Sequence, residues 1–149
     1  MSFFAHSKLF FCALIAAVSS TAAAAQTSSD TATFNVELNS AAETEDGSCR
    51  LTYVATNQSD IALDRAAFEV AVFDIEGIVS RLLVLEFGQL IEGKTKILRF
   101  DLSGTPCGAI SRIVVNDVAA CTPAGGGEDA PVCLSGLTAS SRTAIQFGI

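Results

Sequence analysis

Apolar residues recur at every second position in several short segments of this chain, and this period constrains its fold more than any other feature. In TFNVEL, Phe34, Val36 and Leu38 share one face, and CRLTYVATN and KTKILRFDL repeat the pattern. Successive side chains of a β-strand point to opposite faces, so this period predicts half-buried strands. Turn-forming residues separate the segments, and no long segment has a helical period with capping signals. The sequence therefore predicts an all-β fold, an antiparallel sandwich or small barrel of six to eight strands, in a single domain over residues 33–149.

The first 25 residues have the three parts of a secretory signal peptide. Lys8 ends a short basic region, Leu9–Val18 is apolar, and small residues follow. The small-x-small pattern that ends at Ala25 predicts cleavage before Gln26. The alternative, a membrane anchor, needs an apolar run about twice as long. We expect residues 1–25 to be a Sec-type signal peptide, residues 26–32 a polar linker, and the mature protein periplasmic or secreted.

The mature chain is expected to be strongly acidic. The full sequence has 9 basic and 16 acidic residues, and the loss of Lys8 leaves 8 minus 16, or −8. A negative chain with scattered basic residues argues against binding nucleic acid or anionic lipid. The single histidine, His6, belongs to the signal peptide, and the chain has no tryptophan. We therefore expect no histidine-based catalysis, no cofactor and no stable membrane insertion after cleavage, whereas a protein partner in the cell envelope is possible.

Cysteine spacing predicts two disulfides. An even number of cysteines in an exported chain is typical of a disulfide framework. Cys49 begins the second predicted strand and Cys107 precedes the sixth, so both lie at one end of the sandwich if every connection reverses direction. Cys121 is placed past the far end of the sixth strand, with Cys133 in the following loop. Among three possible connectivities, we expect Cys49–Cys107 and Cys121–Cys133.

A longer segment, FEVAVFDIEGIVSRLLVLEFGQLIEGKTKILRFDL, resembles the FxLYD-type domain of exported prokaryotic proteins. The resemblance is carried by the strand that ends at Phe73-Asp74, by the turn at Gly77 and by Leu90-Ile91-Glu92-Gly93-Lys94-Thr95. The chain departs from the pattern at Val70, where the family has Phe, and at Phe73, where it has Tyr. The resemblance covers residues 49–116 and implies an immunoglobulin-like β-sandwich with no known catalytic residues.

Asp74 and Glu76 are the first candidates for an acid pair, because glycosidases use two carboxylates. The residues flank Ile75 just before Gly77, between two alternating segments. Glycosidase carboxylates face each other across a cleft, whereas neighbours in a turn do not. An Asp at a turn start accepts hydrogen bonds from backbone amides, and Gly supplies a positive φ. The pattern favours a hairpin turn. The segment after it, IVSRLLVLEFGQL, could be a helix, but its β-branched start favours a strand.

The other candidate sites lie in loops or at strand ends. Glu43, Glu45 and Asp46 could offer oxygens to Ca²⁺, but they lack the regular ladder of a calcium loop, so a solvated loop is favoured. The glycine loop at 125–127 has no Lys and a negative charge, which argues against phosphate binding. Lys94 and Lys96 are expected to be solvent-facing edge charges. Tyr53 and Phe87 are expected in the core.

The function that these features favour is a non-enzymatic binding module of the cell envelope, with no catalytic residue and no metal ligand. One alternative is a small hydrolase that uses loop carboxylates, one of them with a raised pKa. Another is a subunit that assembles by exchange of its last strand, AIQFGI. The sequence predicts neither the partner nor the oligomeric state.

Overall fold

The computed structural model of the protein describes residues 33–149 and shows an all-β fold. The strands of this part are β1 (Phe34–Glu43), β2 (Cys49–Asn57), β3 (Leu63–Phe73), β4 (Val79–Leu90), β5 (Thr95–Leu102), β6 (Arg112–Pro123), β7 (Leu137–Ser141) and β8 (Gln146–Gly148). One turn of 3-10 helix (Cys107–Ala109) precedes β6, and the short helix α1 (Val132–Ser135) precedes β7. Among residues 33–149, no helix is long and apolar enough to cross a membrane. The expected signal peptide (1–25), its cleavage site at Ala25 and Gln26, and the linker (26–32) lie outside the described residues.

The strands form a sandwich of two four-stranded sheets. The first sheet has the order β5-β2-β1-β7 and the second the order β4-β3-β6-β8. Neighbours among β1–β6 are antiparallel, but β7 pairs in parallel with β1, and β8 in parallel with β6. The chain reaches β7 from β6 of the second sheet, and it reaches β8 from β7 of the first sheet. Because no hairpin joins either strand to its neighbour, neither is forced to be antiparallel. Both sheets are therefore mixed and not purely antiparallel.

Alternating side chains of both sheets build one core. Phe34, Val36 and Leu38 of β1 are buried, as the period of two predicts. The segment IVSRLLVLEFGQL, for which a helix was the alternative, forms the strand β4, and its Leu85 and Phe87 are buried. The following core residues show the same alternation on β2 and β3: Cys49, Leu51, Tyr53, Ala55, Phe68, Val70 and Val72. Hydrophobic burial between the sheets therefore positions the strands.

Tyr53 lies at the centre of an aromatic cluster in this core. Its ring centroid is 5.2 Å from that of Phe147, 5.8 Å from that of Phe100 and 6.2 Å from that of Phe87. All three contacts are edge-on, the arrangement that aromatic quadrupoles favour. The hydroxyl of Tyr53 has no hydrogen-bond partner among the described residues. Burial raises the pKa of Tyr53 above its ordinary value of 10.

Two disulfides close the fold, and they join the expected pairs. Cys49 and Cys107 have Cα atoms 4.7 Å apart, and Cys121 and Cys133 have Cα atoms 6.0 Å apart. Cys121 does not lie past the end of its strand, because β6 continues to Pro123 in register with Leu63 of β3. Bulges interrupt the alternation of β6, so its length was underestimated from the period of two.

Asn57, the last residue of β2, is fully buried and binds the β2–β3 loop and the end of β4. Its Nδ2 donates to the carbonyl oxygens of Ile61 at 2.8 Å and Leu90 at 3.0 Å. Its Oδ1 accepts from the Ser59 hydroxyl at 2.6 Å and from the Ser59 backbone amide at 3.1 Å. One side chain therefore holds the β2–β3 loop against the end of β4.

Candidate interaction surface

The Asp74 carboxylate serves the β3–β4 turn. Its Oδ1 accepts hydrogen bonds from the backbone amides of Glu76 at 3.0 Å and Ile78 at 2.8 Å. Gly77 has a φ of 80°, which glycine adopts without steric cost. The turn interpretation is confirmed: Asp74 stabilises the hairpin, and Glu76 is exposed beside it.

The acidic β1–β2 loop also uses carboxylates to hold its own backbone. Asp46 accepts hydrogen bonds from the hydroxyls of Thr44 and Ser48, which lower its pKa. Glu43 accepts one from the backbone amide of Cys107 at 2.7 Å, which ties this loop to the first disulfide. The loop and Arg50 line a depression of about 530 Å³. Within residues 33–149, no three His, Cys, Asp or Glu residues group as a metal site.

The loop between β6 and α1 is closed by the second disulfide. Cys121 accepts a backbone hydrogen bond from Ala130 at 2.7 Å, and Thr122 lies 3.5 Å from the carboxylate of Asp129. The segment after the glycines forms α1, so only part of the predicted loop is irregular. The acidic residues of this loop, Glu128 and Asp129, are exposed.

Apolar side chains are exposed next to one another on the outer side of the second sheet. Leu82 of β4, Ala71 of β3 and Val114 of β6 lie side by side in register. The Leu82 side chain is 58% exposed, and that of the neighbouring Val84 is 49% exposed. Ala71 is only 7% exposed although it lies outside the core cluster. We call these four residues, Ala71, Leu82, Val84 and Val114, the outer apolar face.

One end of the outer apolar face continues to the β3–β4 hairpin. The guanidinium carbon of Arg112 lies 4.0 Å from the ring centroid of Phe73, in cation–π contact. Beyond it, Ile75 and Ile78 at the hairpin tip are exposed. Exposed apolar residues that lie next to one another mark interaction sites more often than scattered ones do.

Two acidic residues, Glu69 and Asp117, border the outer apolar face, and we call them the acidic row. Val84, Glu69 and Asp117 are neighbours in register across β4, β3 and β6. The Glu69 carboxylate accepts a hydrogen bond from Nδ2 of Asn116 at 2.6 Å. The ion pairs within residues 33–149 are Arg50–Asp101, Arg65–Glu86 and Arg142–Glu37, so neither Glu69 nor Asp117 is in one. Glu69 and Asp117 therefore occupy paired positions on adjacent strands, and neither carboxylate has a cationic partner within residues 33–149.

The edge strand β4 is held at both ends by basic side chains. Nζ of Lys96 donates to the carbonyl oxygens of Phe87 at 2.7 Å and Gln89 at 3.3 Å. Arg81 donates to the carbonyl oxygen of Ser103 at 3.2 Å. Lys96 is therefore not the solvent-facing charge that the sequence suggested, because it bridges the two sheets. The segment between these two contacts contains Leu82 and Val84.

Sequence analysis did not identify the outer apolar face, although a signal was present. The runs VAVF in β3 and LLVL in β4 are apolar at every position. An unbroken apolar run is typical of a strand that is covered on both faces. In this chain the core covers only the inner face, so the outer residues of these runs are left for another surface.

The shifted carboxyl pKa values favour ionised hydrogen-bond acceptors. The groups concerned, Glu37, Asp46, Glu86 and Asp101, are all shifted downward, mainly by hydrogen bonds from neighbouring side chains. A general acid in a hydrolase needs a shift in the opposite direction.

Comparison of the chain with protein-family models, curated proteins and solved structures gave no match.

Proposed function

We propose that this protein is an exported, disulfide-stabilised immunoglobulin-like module that binds a protein partner through its outer apolar face. The exposure of Leu82 and Val84 beside the covered Ala71 is the observation that carries this proposal. Soluble domains rarely leave contiguous apolar residues on a sheet unless something binds there. The disulfides suit an oxidising compartment, which is where the signal peptide expected to end at Ala25, before Gln26, would send the protein.

Strand order supports the immunoglobulin-like part of the proposal. Immunoglobulin sheets contain the neighbours A-B-E on one side and C-F on the other, with C′ added next to C in the variable type. Here β1, β2 and β5 are neighbours in one sheet, and β4, β3 and β6 are neighbours in the other. The resemblance to the FxLYD-type domain remains a proposal on the same grounds. In this lettering the outer apolar face belongs to the C′-C-F sheet.

Strand exchange receives less support than face binding. β8 pairs with β6 of its own chain, and Ile145 and Phe147 pack into its own core. The depression lined by Glu43, Glu45 and Asp46 is the surface that brings loop carboxylates together for the hydrolase alternative. The lowered pKa of Asp46 argues against this carboxyl group as the proton donor of such a mechanism.

Site-specific cross-linking tests the proposal. A photo-reactive amino acid replaces Leu82 in the full chain, produced with its leader in the native host, and the adduct is identified by mass spectrometry. The matched control carries the same amino acid at Ile97, which is 67% exposed on the other sheet. The identified partner is then purified and titrated with the variants Leu82→Ser, Val84→Ser and Ile97→Ser.

We expect an adduct at Leu82 and not at Ile97. Each serine variant of the outer apolar face should weaken binding about tenfold, the usual effect of truncating a buried apolar anchor. The Ile97→Ser variant should bind like the original protein. Equal binding by all three variants would refute the proposed surface.

A further inference from the structure

We infer that the partner segment on the outer apolar face carries lysine or arginine side chains between apolar ones. This inference rests on the proposed function and specifies the chemistry of its partner. It is drawn from the acidic row of Glu69 and Asp117, whose charges are left without a cation within residues 33–149.

The acidic row is unfavourable for the isolated fold. Like charges in directly opposed positions of two strands destabilise a sheet. A bulge in β6 follows this position, and Asn116 and Asp117 both lie near Glu69. Asn116 supplies one neutral hydrogen bond, and Asp117 accepts one from the backbone amide of Val118 at 2.8 Å. Neither bond neutralises a charge.

The basic residues on this side of the sheet are engaged elsewhere. Arg65 forms its ion pair with Glu86 at 2.7 Å. Arg112 lies over the ring of Phe73, four residues along β3 from Glu69, which corresponds to about 13 Å of strand. A cation from outside is therefore the group that this row lacks, and it would arrive next to Val84.

Charge complementarity also argues against a second copy of this chain as the occupant. A twofold interface brings the same patch of both subunits together. Glu69 and Asp117 of both copies would then lie within one interface, and the negative charge gathered there disfavours the pair. A basic and apolar segment has the complementary charge.

The test uses a synthetic probe, the capped peptide acetyl-KVKVKVKVK-amide, with acetyl-EVEVEVEVE-amide as its charge-reversed control. Each peptide is titrated into ¹⁵N-labelled protein with both disulfides formed, and amide shifts are followed by NMR. We expect the lysine peptide to shift amides of β3, β4 and β6 around the outer apolar face. Added salt should weaken this binding, and the glutamate peptide should not bind.

Variants then separate charge from apolar contact. Glu69→Gln and Asp117→Asn should each weaken lysine-peptide binding about two- to fivefold, the range for an exposed ion pair. Glu45→Gln, the same charge change in the β1–β2 loop, should leave binding unchanged. The double variant should also melt about 1–4 °C higher, because the opposed charges are gone, so weaker binding would not reflect unfolding.

The outcomes distinguish this inference from the proposed function. If the lysine peptide does not bind, or if the acid variants bind it like the original protein, the inference is wrong. In that case Leu82→Ser can still weaken binding of the partner identified by cross-linking, and the outer apolar face then remains a binding surface. If Leu82→Ser, Val84→Ser and the acid variants all leave partner and peptide binding unchanged, both proposals fail.

Discussion

Nζ of Lys96 on β5 lies 2.7 Å from the carbonyl oxygen of Phe87 on β4, and this hydrogen bond joins the two sheets along one open side of the sandwich. Gly88 lies at the same place with a φ of 65°, and a Cβ there would approach Nζ to 3.4 Å. A charged donor thus satisfies a carbonyl oxygen of an edge strand that otherwise offers unpaired groups to another chain.

Lys96→Met should lower the free energy of unfolding by about 1–3 kcal/mol, because the substitution keeps the length but removes the donor. It should also increase self-association through β4. Urea unfolding followed by circular dichroism and light scattering after size exclusion measure the two effects. Lys94→Met, two residues earlier and exposed, is the control. Equal stability of the two variants would show that the Lys96 contact contributes little.

Tyr53→Phe should stabilise the protein by about 1 kcal/mol. The substitution removes a buried hydroxyl without a partner and keeps the ring contacts with Phe87, Phe100 and Phe147. Thermal unfolding by circular dichroism measures the change. Tyr53→Leu, which loses the aromatic contacts, should instead be destabilising. A destabilised Tyr53→Phe would mean that the hydroxyl has a favourable interaction.

Stability should decrease at alkaline pH because of the same residue. The pKa of Tyr53 is raised in the folded state, so above pH 10 the unfolded chain loses a proton that the folded chain keeps. The contribution of Tyr53 to the free energy of unfolding is complete below pH 10. It is lost as the pH rises towards the pKa that this residue has in the folded state. Tyr53 is the only tyrosine, so tyrosinate absorbance reports it directly. Tyrosinate should appear together with unfolding, and its appearance in the folded protein near pH 10 would contradict the assignment.

Asn57→Ala should be strongly destabilising, by about 2–4 kcal/mol, since it leaves the carbonyl groups of Ile61 in the β2–β3 loop and Leu90 at the end of β4 without their donor. Asn39→Ala removes one exposed hydrogen bond to Glu37 and should cost much less. Urea unfolding of both variants gives the comparison. Similar losses in both would show that burial does not govern the effect.

The two disulfides should differ in their contribution to stability. In the chain-entropy relation, a closure over 58 residues contributes about 4 kcal/mol and one over 12 residues about 3 kcal/mol. The double variant Cys49→Ala, Cys107→Ala should therefore melt lower than Cys121→Ala, Cys133→Ala. Reduction of the original protein should lower its melting temperature below that of either variant. The reverse order would show that native packing, and not loop closure, dominates.

The first five strands could be predicted from the sequence because their inner faces alternate over several residues, as in Phe34, Val36 and Leu38. The sixth was predicted too short because bulges interrupt its alternation. The direction of β7 and β8 could not, because no hairpin connects them to their neighbours. The role of Lys96 depends on a contact between sheets, which no local pattern encodes. The outer apolar face could not be predicted for a related reason. The run LLVL is apolar at every position, so the sequence does not show which of its residues face the core and which, like Leu82 and Val84, lie on the outer side of β4.

The pairing of β7 with β1 has a consequence for the order in which the molecule can fold. Asn35 of β1 and Thr138 of β7, which share a hydrogen bond, are 103 positions apart. Contacts over such a separation form slowly, because a long loop must close before they contribute. A chain that emerges with its N-terminus first leaves one side of β1 unpaired until residues 137–141 follow. The molecule therefore completes its folding only after nearly the whole chain has emerged, and until then that edge of β1 is open to pairing with other chains.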